Sequence, residues 1–323
     1  QTSCTGMISR EGNAPARETG NQQRTRAMAK SRRTTPDMTG SRKTKKKKLA
    51  LMGERRLGRV LITGASSGIG AELAREFANH GHALVLVARS KDRLDALAAE
   101  LHAGHDTDSI VLPADLSNAE ELVSVVETLE QRGSEIDILV NNAGIIDVGP
   151  FADAPPERLQ QLIAVNIAAA TALTSLFLPG MRARRFGRIL NVASLAGFQP
   201  VPSMAVYAAS KAYVLSFTES LAEELRGTGV SVTALCPGMT ETGMVQSIRN
   251  ATPAVGWAPS FLIADARSVA RQGYTALMTG QTVIVPGWPN QIAATWSQMT
   301  PRWITRTVTG FAIRQANWLR REA

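Results

Sequence analysis

A tyrosine and a lysine stand four residues apart in the segment Tyr207-Ala208-Ala209-Ser210-Lys211. In a helix this spacing puts both side chains on one face, so a phenol and an ammonium can act together. A free phenol ionises at about pH 10, and a nearby positive charge lowers its pKa. Tyr207 is therefore a candidate proton donor and acceptor, although such pairs also arise by chance on helix surfaces.

Ser194 closes a predicted strand, in the segment Asn191-Val192-Ala193-Ser194. The hydroxyl of Ser194 can hydrogen-bond a substrate oxygen and hold it for proton transfer from Tyr207. Ser194, Tyr207 and Lys211 are thus the first three candidate catalytic residues.

A glycine-rich turn follows the apolar run Val60-Leu61-Ile62-Thr63 and leads into a helical pattern. In Gly64-Ala65-Ser66-Ser67-Gly68-Ile69-Gly70, Gly64 permits a tight turn, Gly68 lets the backbone approach a pyrophosphate, and Gly70 lets the helix pack closely. The helix amides then face the anion. Turns of this kind also occur for structural reasons alone, so the pattern predicts dinucleotide binding only together with other motifs.

The end of the second predicted strand indicates which dinucleotide binds. Ala88-Arg89-Ser90 offers no carboxylate for a ribose 2′-hydroxyl but one guanidinium suited to a 2′-phosphate. Ser66 can add a hydroxyl donor, whereas Ser67 supplies no second cation from the glycine loop. The sequence favours NADP(H) over NAD(H), the alternative being that Arg89 is an ordinary surface residue.

Taken together, these motifs resemble those of the short-chain dehydrogenase/reductase family from Arg59 to about Gly287, in order and separation as well as in residue type. The resemblance places Asn166 at the family's helical asparagine, which holds a water in a proton relay to the lysine. Asn166 could instead be a paired polar residue inside a buried helix. The resemblance implies the catalytic set Asn166, Ser194, Tyr207 and Lys211.

The same resemblance implies a cofactor site that spans the predicted domain. Asp115-Leu116 corresponds to the adenine contact, Asn141-Asn142-Ala143-Gly144 to the motif beside the cofactor, and Pro237-Gly238 with Thr240 and Thr242 to the segment that locks the nicotinamide carboxamide. The predicted cofactor-binding residues are Gly64, Ser66, Ser67, Gly68, Ile69, Gly70, Arg89, Asp115, Leu116, Asn142, Ala143, Gly144, Tyr207, Lys211, Pro237, Gly238, Thr240 and Thr242.

The function implied by the resemblance is hydride transfer between NADP(H) and a carbonyl or alcohol substrate, with Tyr207 as general acid and base. Apolar residues in the segment 239–264 and in the loop after Ser194 favour an apolar ketone, aldehyde or acyl derivative and a mobile lid, the alternative being that they are ordinary packing residues. These residues are Phe198, Val201, Met204, Met244, Ile248, Trp257, Phe261 and Leu262. The alternative is an NADP-binding regulatory or interaction protein with a tail that binds nucleic acid or a membrane.

Short β-branched runs alternate with helical patterns, which predicts an α/β fold: one doubly wound Rossmann-type domain with a seven-stranded parallel sheet and helices on both faces. The predicted strands are Arg59–Thr63, Ala83–Ala88, Ser109–Pro113, Ile136–Asn141, Gly187–Ala193, Ser231–Cys236 and Thr282–Val285. The predicted helices lie near Gly70–His80, Lys91–Leu101, Asn118–Gln131, Pro156–Arg184, Ala205–Gly227 and Ala266–Thr279. The uncharged centre of Pro156–Arg184 imitates a membrane span, but a helix buried between the sheet and a partner subunit explains it equally well and is favoured.

Charge separates this domain, residues 57–287, from a tail over residues 1–56. The tail holds 15 of the 36 Lys and Arg but 4 of the 27 Asp and Glu, and its scarcity of large apolar side chains predicts disorder. It could bind an anionic partner, be a transit peptide or have no function, and nucleic acid is not the expected partner.

A helical extension is predicted over residues 288–323, where Trp288, Trp296, Trp303 and Trp318 alternate with arginines. Trp and Arg together suit a peripheral membrane helix, and also a helix across the substrate mouth or at a subunit interface. The extension departs from the family's fatty-acid 3-oxoacyl reductases and is similar to its hydroxysteroid and 3-ketoacyl-CoA reductase branch. A homodimer or homotetramer is expected.

Two cysteines, Cys4 and Cys236, stand far apart in the sequence. A stabilising disulfide is therefore not expected, and a cytoplasmic location is predicted. The four histidines lack partners at ligand spacing, so no metal is predicted and the histidines are expected to be solvated.

Overall fold

The computed structural model describes residues 57–241 and 263–318, without the side chains of residues 302 and 312–318. Thr242, most of the predicted lid and the predicted disordered tail lie outside the described residues. The strands are β1 (Val60–Thr63), β2 (Leu84–Ala88), β3 (Ser109–Pro113), β4 (Ile138–Asn141), β5 (Gly187–Val192), β6 (Val230–Leu235) and β7 (Val283–Ile284).

All seven strands pair in parallel in one sheet, in the order β3-β2-β1-β4-β5-β6-β7. The predicted doubly wound α/β fold is confirmed. The order reverses between β1 and β4, and in such sheets ligands bind outside the carboxyl ends of the strands at this reversal.

Helices cover both faces of the sheet, and its central strands are therefore buried on both sides. Phe77, Leu94 and Leu277 pack on one face, and Leu129 and Leu173 pack on the other. The α-helices are α1 (Gly68–Asn79), α2 (Lys91–His105), α3 (Ala119–Gln131), α4 (Pro156–Ile163), α5 (Ala170–Arg184), α6 (Ala205–Glu224), α7 (Ala266–Thr279), α8 (Trp288–Met299) and α9 (Arg302–Trp318).

The long apolar helix Pro156–Arg184 is continuous but changes its winding. A π-helical turn, Ala164–Ala169, joins α4 to α5 and contains Asn166. Among the described residues this is the one helix that is long and apolar enough to cross a membrane. Leu162, Leu173 and Met181 are fully buried, so the inner face of the helix is part of the protein core.

His82 is buried, and the expectation that all four histidines are solvated is wrong at this position. Its Nδ1 lies 2.9 Å from the Gly58 carbonyl oxygen and its Nε2 3.4 Å from the Tyr274 hydroxyl. Burial lowers the pKa of His82, so the ring packs as a neutral core residue. His80, His102 and His105 are exposed.

Candidate active site

The carboxyl ends of the strands open into a cleft of about 510 Å³. Every predicted site residue that the structure describes lines this cleft except Gly70 and Asn166. Those two residues contact the residues that form its wall. Thr242 lies outside the described residues.

The glycine loop between β1 and α1 forms one side of the cleft. Gly64 and Gly68 have φ angles of 66° and 55°, a left-handed conformation that glycine adopts without strain. A Cβ atom on Gly70 would collide with the Gly64 carbonyl and the Asn142 amide. Ser67 does not cap α1 with its side chain, so the first amides of this helix are available to an anion.

Hydrogen bonds to the end of β4 hold the start of this loop in place. The Thr63 hydroxyl donates to the Val140 carbonyl at 3.1 Å and accepts from the amides of Asn142 at 2.9 Å and Ala143 at 3.0 Å. In return the Asn142 side chain donates to the carbonyls of Thr63 at 2.8 Å and Gly64 at 3.2 Å. The two predicted motifs therefore form one rigid unit.

Arg89 stands at the end of the cleft formed by β2 and β3. Its Nη1 lies 3.9 Å from an Asp115 carboxylate oxygen, and this carboxylate also accepts from the Ser117 amide and hydroxyl. Burial alone would raise the pKa of Asp115, but the Ser117 hydrogen bonds and the charge of Arg89 lower it. Asp115 is therefore an anion beside a cation.

Arg93, which the sequence prediction missed, lines the cleft near Arg89. It lies in the first turn of α2, four residues after Arg89. The i, i+4 spacing was visible in the sequence, but only the position of α2 shows that both arginines reach one cleft. Arg89 and Arg93 supply two guanidinium groups, and the end of β2 has no carboxylate that could bind a ribose hydroxyl. This combination suits a phosphate group.

Asn166 connects the wall of the cleft to the catalytic helix. Its Oδ1 accepts from the Ile145 amide at 2.8 Å, and its Nδ2 donates to the Ile145 carbonyl at 3.0 Å and to the Ser210 hydroxyl at 3.0 Å. The π-helical turn gives this side chain its position, as such turns often do at functional sites. Asn166 therefore fixes the chain after Gly144 against α6.

Lys211 is buried at the inner end of the cleft. Its Nζ donates to the Val192 carbonyl at 2.8 Å and lies 5.8 Å from the centre of the Tyr207 ring. A Cβ atom on Gly144 would lie 3.4 Å from this Nζ, so glycine keeps the space beside the ammonium open. Burial lowers the pKa of Lys211 to about 8.

Tyr207 is buried beside Ser194. Burial raises the pKa of Tyr207, and a hydrogen bond with the Ser194 hydroxyl partly offsets this rise. The sequence predicted that Lys211 lowers the pKa of Tyr207. In the structure the Ser194 hydroxyl lowers it, and the Lys211 ammonium donates to the Val192 carbonyl. The Ser194 hydroxyl also accepts from the Ala196 amide at 3.1 Å.

Apolar side chains form most of the wall beyond Tyr207. Val201 and Met204 line the cleft as predicted, whereas Phe198 packs behind the wall. The polar exceptions there are Gln161 and Gln199, which the sequence prediction missed. The other apolar residues of this wall are Ile145, Ile146, Val165 and Leu195.

The turn after β6 closes the cleft and contacts the C-terminal extension. The Thr240 hydroxyl donates to the Gly238 carbonyl at 3.2 Å. A Cβ atom on Gly238 would lie 2.6 Å from the Asn290 side chain of α8, so only glycine lets α8 approach this closely. No local sequence signal indicates this contact.

A model of the short chain dehydrogenase family matches residues 58–253. The chain belongs to this family. The ketoacyl reductase HetN of Nostoc sp. is 36% identical over 227 residues, which are 70% of this chain and 77% of the relative. The human very-long-chain 3-oxoacyl-CoA reductase is 34% identical over 238 residues, 71% of this chain and 75% of the relative. This short-chain dehydrogenase is therefore an oxidoreductase.

Solved structures of other family members have the same fold. A short-chain dehydrogenase from Sphingobium yanoikuyae in complex with NADPH is 36% identical, with a TM-score of 0.67 over 74% of this chain and 91% of that one. The bulky-bulky ketone specific alcohol dehydrogenase from Comamonas testosteroni is 31% identical, with a TM-score of 0.63 over 75% of this chain and 93% of that one.

Proposed function

We propose that this protein is an NADPH-linked reductase of apolar ketones or acyl derivatives, with Tyr207 as its proton donor. The observation that carries the proposal is the placement of buried Tyr207 and Lys211, with half-buried Ser194, in the same cleft as Arg89 and Arg93. A phosphate-binding end and a proton-transferring end in one cleft are what a nicotinamide-dependent reductase requires.

The cofactor fits the residues present. The amides of the glycine loop and α1 would hold the pyrophosphate, Arg89 and Arg93 the 2′-phosphate, and Lys211 the ribose. The Sphingobium relative was solved with NADPH, which supports the same cofactor here. When bound, the nicotinamide supplies the hydride for reduction and accepts it for the reverse reaction.

The proton chemistry belongs to Tyr207 and its neighbours. Because burial raises the pKa of Tyr207, the phenol is protonated near neutral pH and can donate to a substrate oxygen that gains negative charge. The Ser194 hydroxyl, already paired with Tyr207, would hold that oxygen in place. Asn166 acts through other groups, because it fixes Ile145 and Ser210 around the site.

The wall beyond Tyr207 favours an apolar substrate. Ile146, Val165, Leu195 and Met204 line the same cleft as the Tyr207 phenol, where a substrate carbonyl would bind. The relatives named for ketoacyl, 3-oxoacyl-CoA and bulky ketone substrates support a ketone with at least one large apolar substituent.

The test is NADPH oxidation by the purified protein with a panel of aldehydes, apolar ketones, 3-oxoacyl thioesters and small polar ketones. We expect turnover of the apolar compounds, and a loss of at least about a hundredfold in Tyr207→Phe. Tyr213→Phe is the matched control, because Tyr213 lies on the same helix α6 but outside the cleft. Tight NADPH binding without any turnover would favour the alternative of a cofactor-binding regulatory protein, and activity confined to small polar ketones would contradict the apolar substrate.

A further inference from the structure

The outer side of α8 carries a stripe of large apolar side chains. Trp288, Ile292, Trp296 and Met299 recur at helical spacing and are exposed, Trp288 by 74% and Met299 by 81%. The opposite side of α8 faces inward, where the Ser297 hydroxyl donates to the Phe198 carbonyl at 3.0 Å. The stripe is therefore an outer surface of the protein and contributes nothing to its core.

The next helix repeats this arrangement. Trp303 and Phe311 lie eight residues apart on one side of α9, and Trp303 is 64% exposed. On its inner side Thr305 is buried and the Thr309 hydroxyl donates to the Pro200 carbonyl at 3.4 Å. The inner faces of both helices thus contact the loop after Ser194, and their outer faces expose aromatic side chains to solvent.

The charge of this segment has one sign. Between residues 287 and 321 the sequence has five arginines and no Asp or Glu, and Arg306 is exposed beside the apolar residues. We propose that the outer faces of α8 and α9, here named the Trp face and defined by Trp288, Ile292, Trp296, Met299, Trp303 and Phe311, dock on an anionic lipid surface.

Lipid suits this face better than a second copy of the chain. A two-fold dimer through the Trp face would bring together two segments of the same sign of charge, because residues 287–321 include five arginines and no Asp or Glu to pair with them. An anionic bilayer supplies the missing negative charge. It also provides the interface at which Trp side chains are most stable, with an apolar body and a polar N–H group.

The position of the Trp face gives docking a consequence for the site. The same two helices contact the cleft loops through Phe198, Pro200 and Gly238. Docking would therefore hold the substrate end of the protein close to the membrane surface. The proposal does not depend on the reductase activity and goes beyond it.

The experiment is flotation of the full chain with phosphatidylcholine vesicles containing about one quarter phosphatidylglycerol, combined with tryptophan quenching by brominated acyl chains. The basic segment 1–56 has no tryptophan, so quenching reports insertion of tryptophans and not binding through that segment. We expect flotation with quenching, weaker binding in pure phosphatidylcholine, and at least about tenfold weaker binding of the double variant Trp288→Ser/Trp303→Ser. The matched control is Phe186→Ser, because Phe186 is exposed directly before β5, at the amino ends of the strands, opposite the cleft.

Three results would overturn the proposal. The first is flotation without quenching, which would assign binding to the basic segment. The second is equal loss of binding in the double variant and in Phe186→Ser. The third is absence of vesicle binding together with a self-association that the double variant abolishes, which would assign the Trp face to a second copy. Retained NADPH binding by the double variant shows that it is folded, and a failure of the reductase assay has no bearing on these outcomes.

Discussion

At the residue scale, the charge of Lys211 is set by its burial rather than by a carboxylate partner. Its ammonium donates to one backbone carbonyl, and burial brings its pKa to about 8, from an ordinary value of 10.5. The charge that would hold the cofactor ribose is thus present at neutral pH and is lost in mildly alkaline solution. Burial also favours the neutral form of Tyr207, but here it raises the pKa, so the phenol stays neutral over the range in which Lys211 loses its charge.

This difference predicts a pH dependence of cofactor binding. Because the folded pKa of Lys211 is lowered to about 8, the ammonium is lost as the pH rises through that value, and NADPH affinity should fall by up to about tenfold per pH unit above it. Titration of NADPH fluorescence between about pH 7 and pH 10 measures this slope. Lys211→Met should bind more weakly at neutral pH and show no such slope. An identical slope in both proteins would assign the titration to another group.

A second prediction concerns Arg89. Arg89→Ala removes a charged donor from the predicted 2′-phosphate site, so the KM for NADPH should rise by about 10- to 100-fold. The KM for NADH should change little, since NADH has no 2′-phosphate. Arg132→Ala is the control, because Arg132 is exposed and lies outside the cleft. Equal losses with NADPH and NADH would mean that Arg89 supports the loop rather than the phosphate.

At the scale of elements, the site depends on how the β1–α1 loop is joined to the end of β4. Thr63 and Asn142 exchange hydrogen bonds across the two strands, and Gly70 lies so close to the Gly64 carbonyl and the Asn142 amide that no side chain fits. The cofactor loop is therefore preformed by the sheet. Its shape follows from packing as much as from the freedom of its glycines.

Substitution of Gly70 tests this packing. Gly70→Ala would press a methyl group against the Gly64 carbonyl and the Asn142 amide, and should lower the free energy of unfolding by about 1–3 kcal/mol. Gly104→Ala is the matched control, since Gly104 lies in α2 with no atom within 4 Å of the added Cβ. It should raise stability by roughly 0.5–1 kcal/mol. Urea unfolding measures both, and a neutral Gly70→Ala would show that the loop can move aside.

The elements that the sequence predicts well are those with a local cause. Buried β-branched runs predicted the strands, but the last one, predicted as Thr282–Val285, is only Val283–Ile284, because β6, its one partner strand, ends at Leu235, opposite Ile284. Helix α2 runs to His105, beyond the predicted Leu101, and ends where Asp106 adopts a left-handed conformation with φ of 52°. Gly104 lies inside the last turn of this helix and does not end it.

At the scale of the whole molecule, the unpredicted features depend on packing between distant segments. Arg93, Gln161 and Asn290 reach the cleft or its rim only because α2, α4 and α8 pack where they do. His82 is buried because Gly58 and Tyr274 meet it from distant parts of the chain. Tyr207, Lys211 and the glycine loop could be predicted because each belongs to a motif with fixed local spacing.

The described surface also has an apolar patch on the helices α5 and α6. Leu176 and Tyr213 are exposed there, the Tyr213 ring stacks on Phe217, and the Tyr213 hydroxyl lies 3.0 Å from the Thr171 hydroxyl. The sequence predicts a homodimer or homotetramer, and exposed apolar residues of this kind suit an interface.

If copies of the chain associate through this patch, Leu176→Arg should dissociate them, because each interface would bury two unpaired charges. Val123→Arg is the matched control: Val123 is 46% exposed and Leu176 47%, but Val123 lies on α3, outside the patch. Light scattering with size-exclusion chromatography gives the mass of each protein. We expect a smaller species for Leu176→Arg alone. An oligomer that survives in Leu176→Arg, or one that both variants dissociate, would place the interface elsewhere.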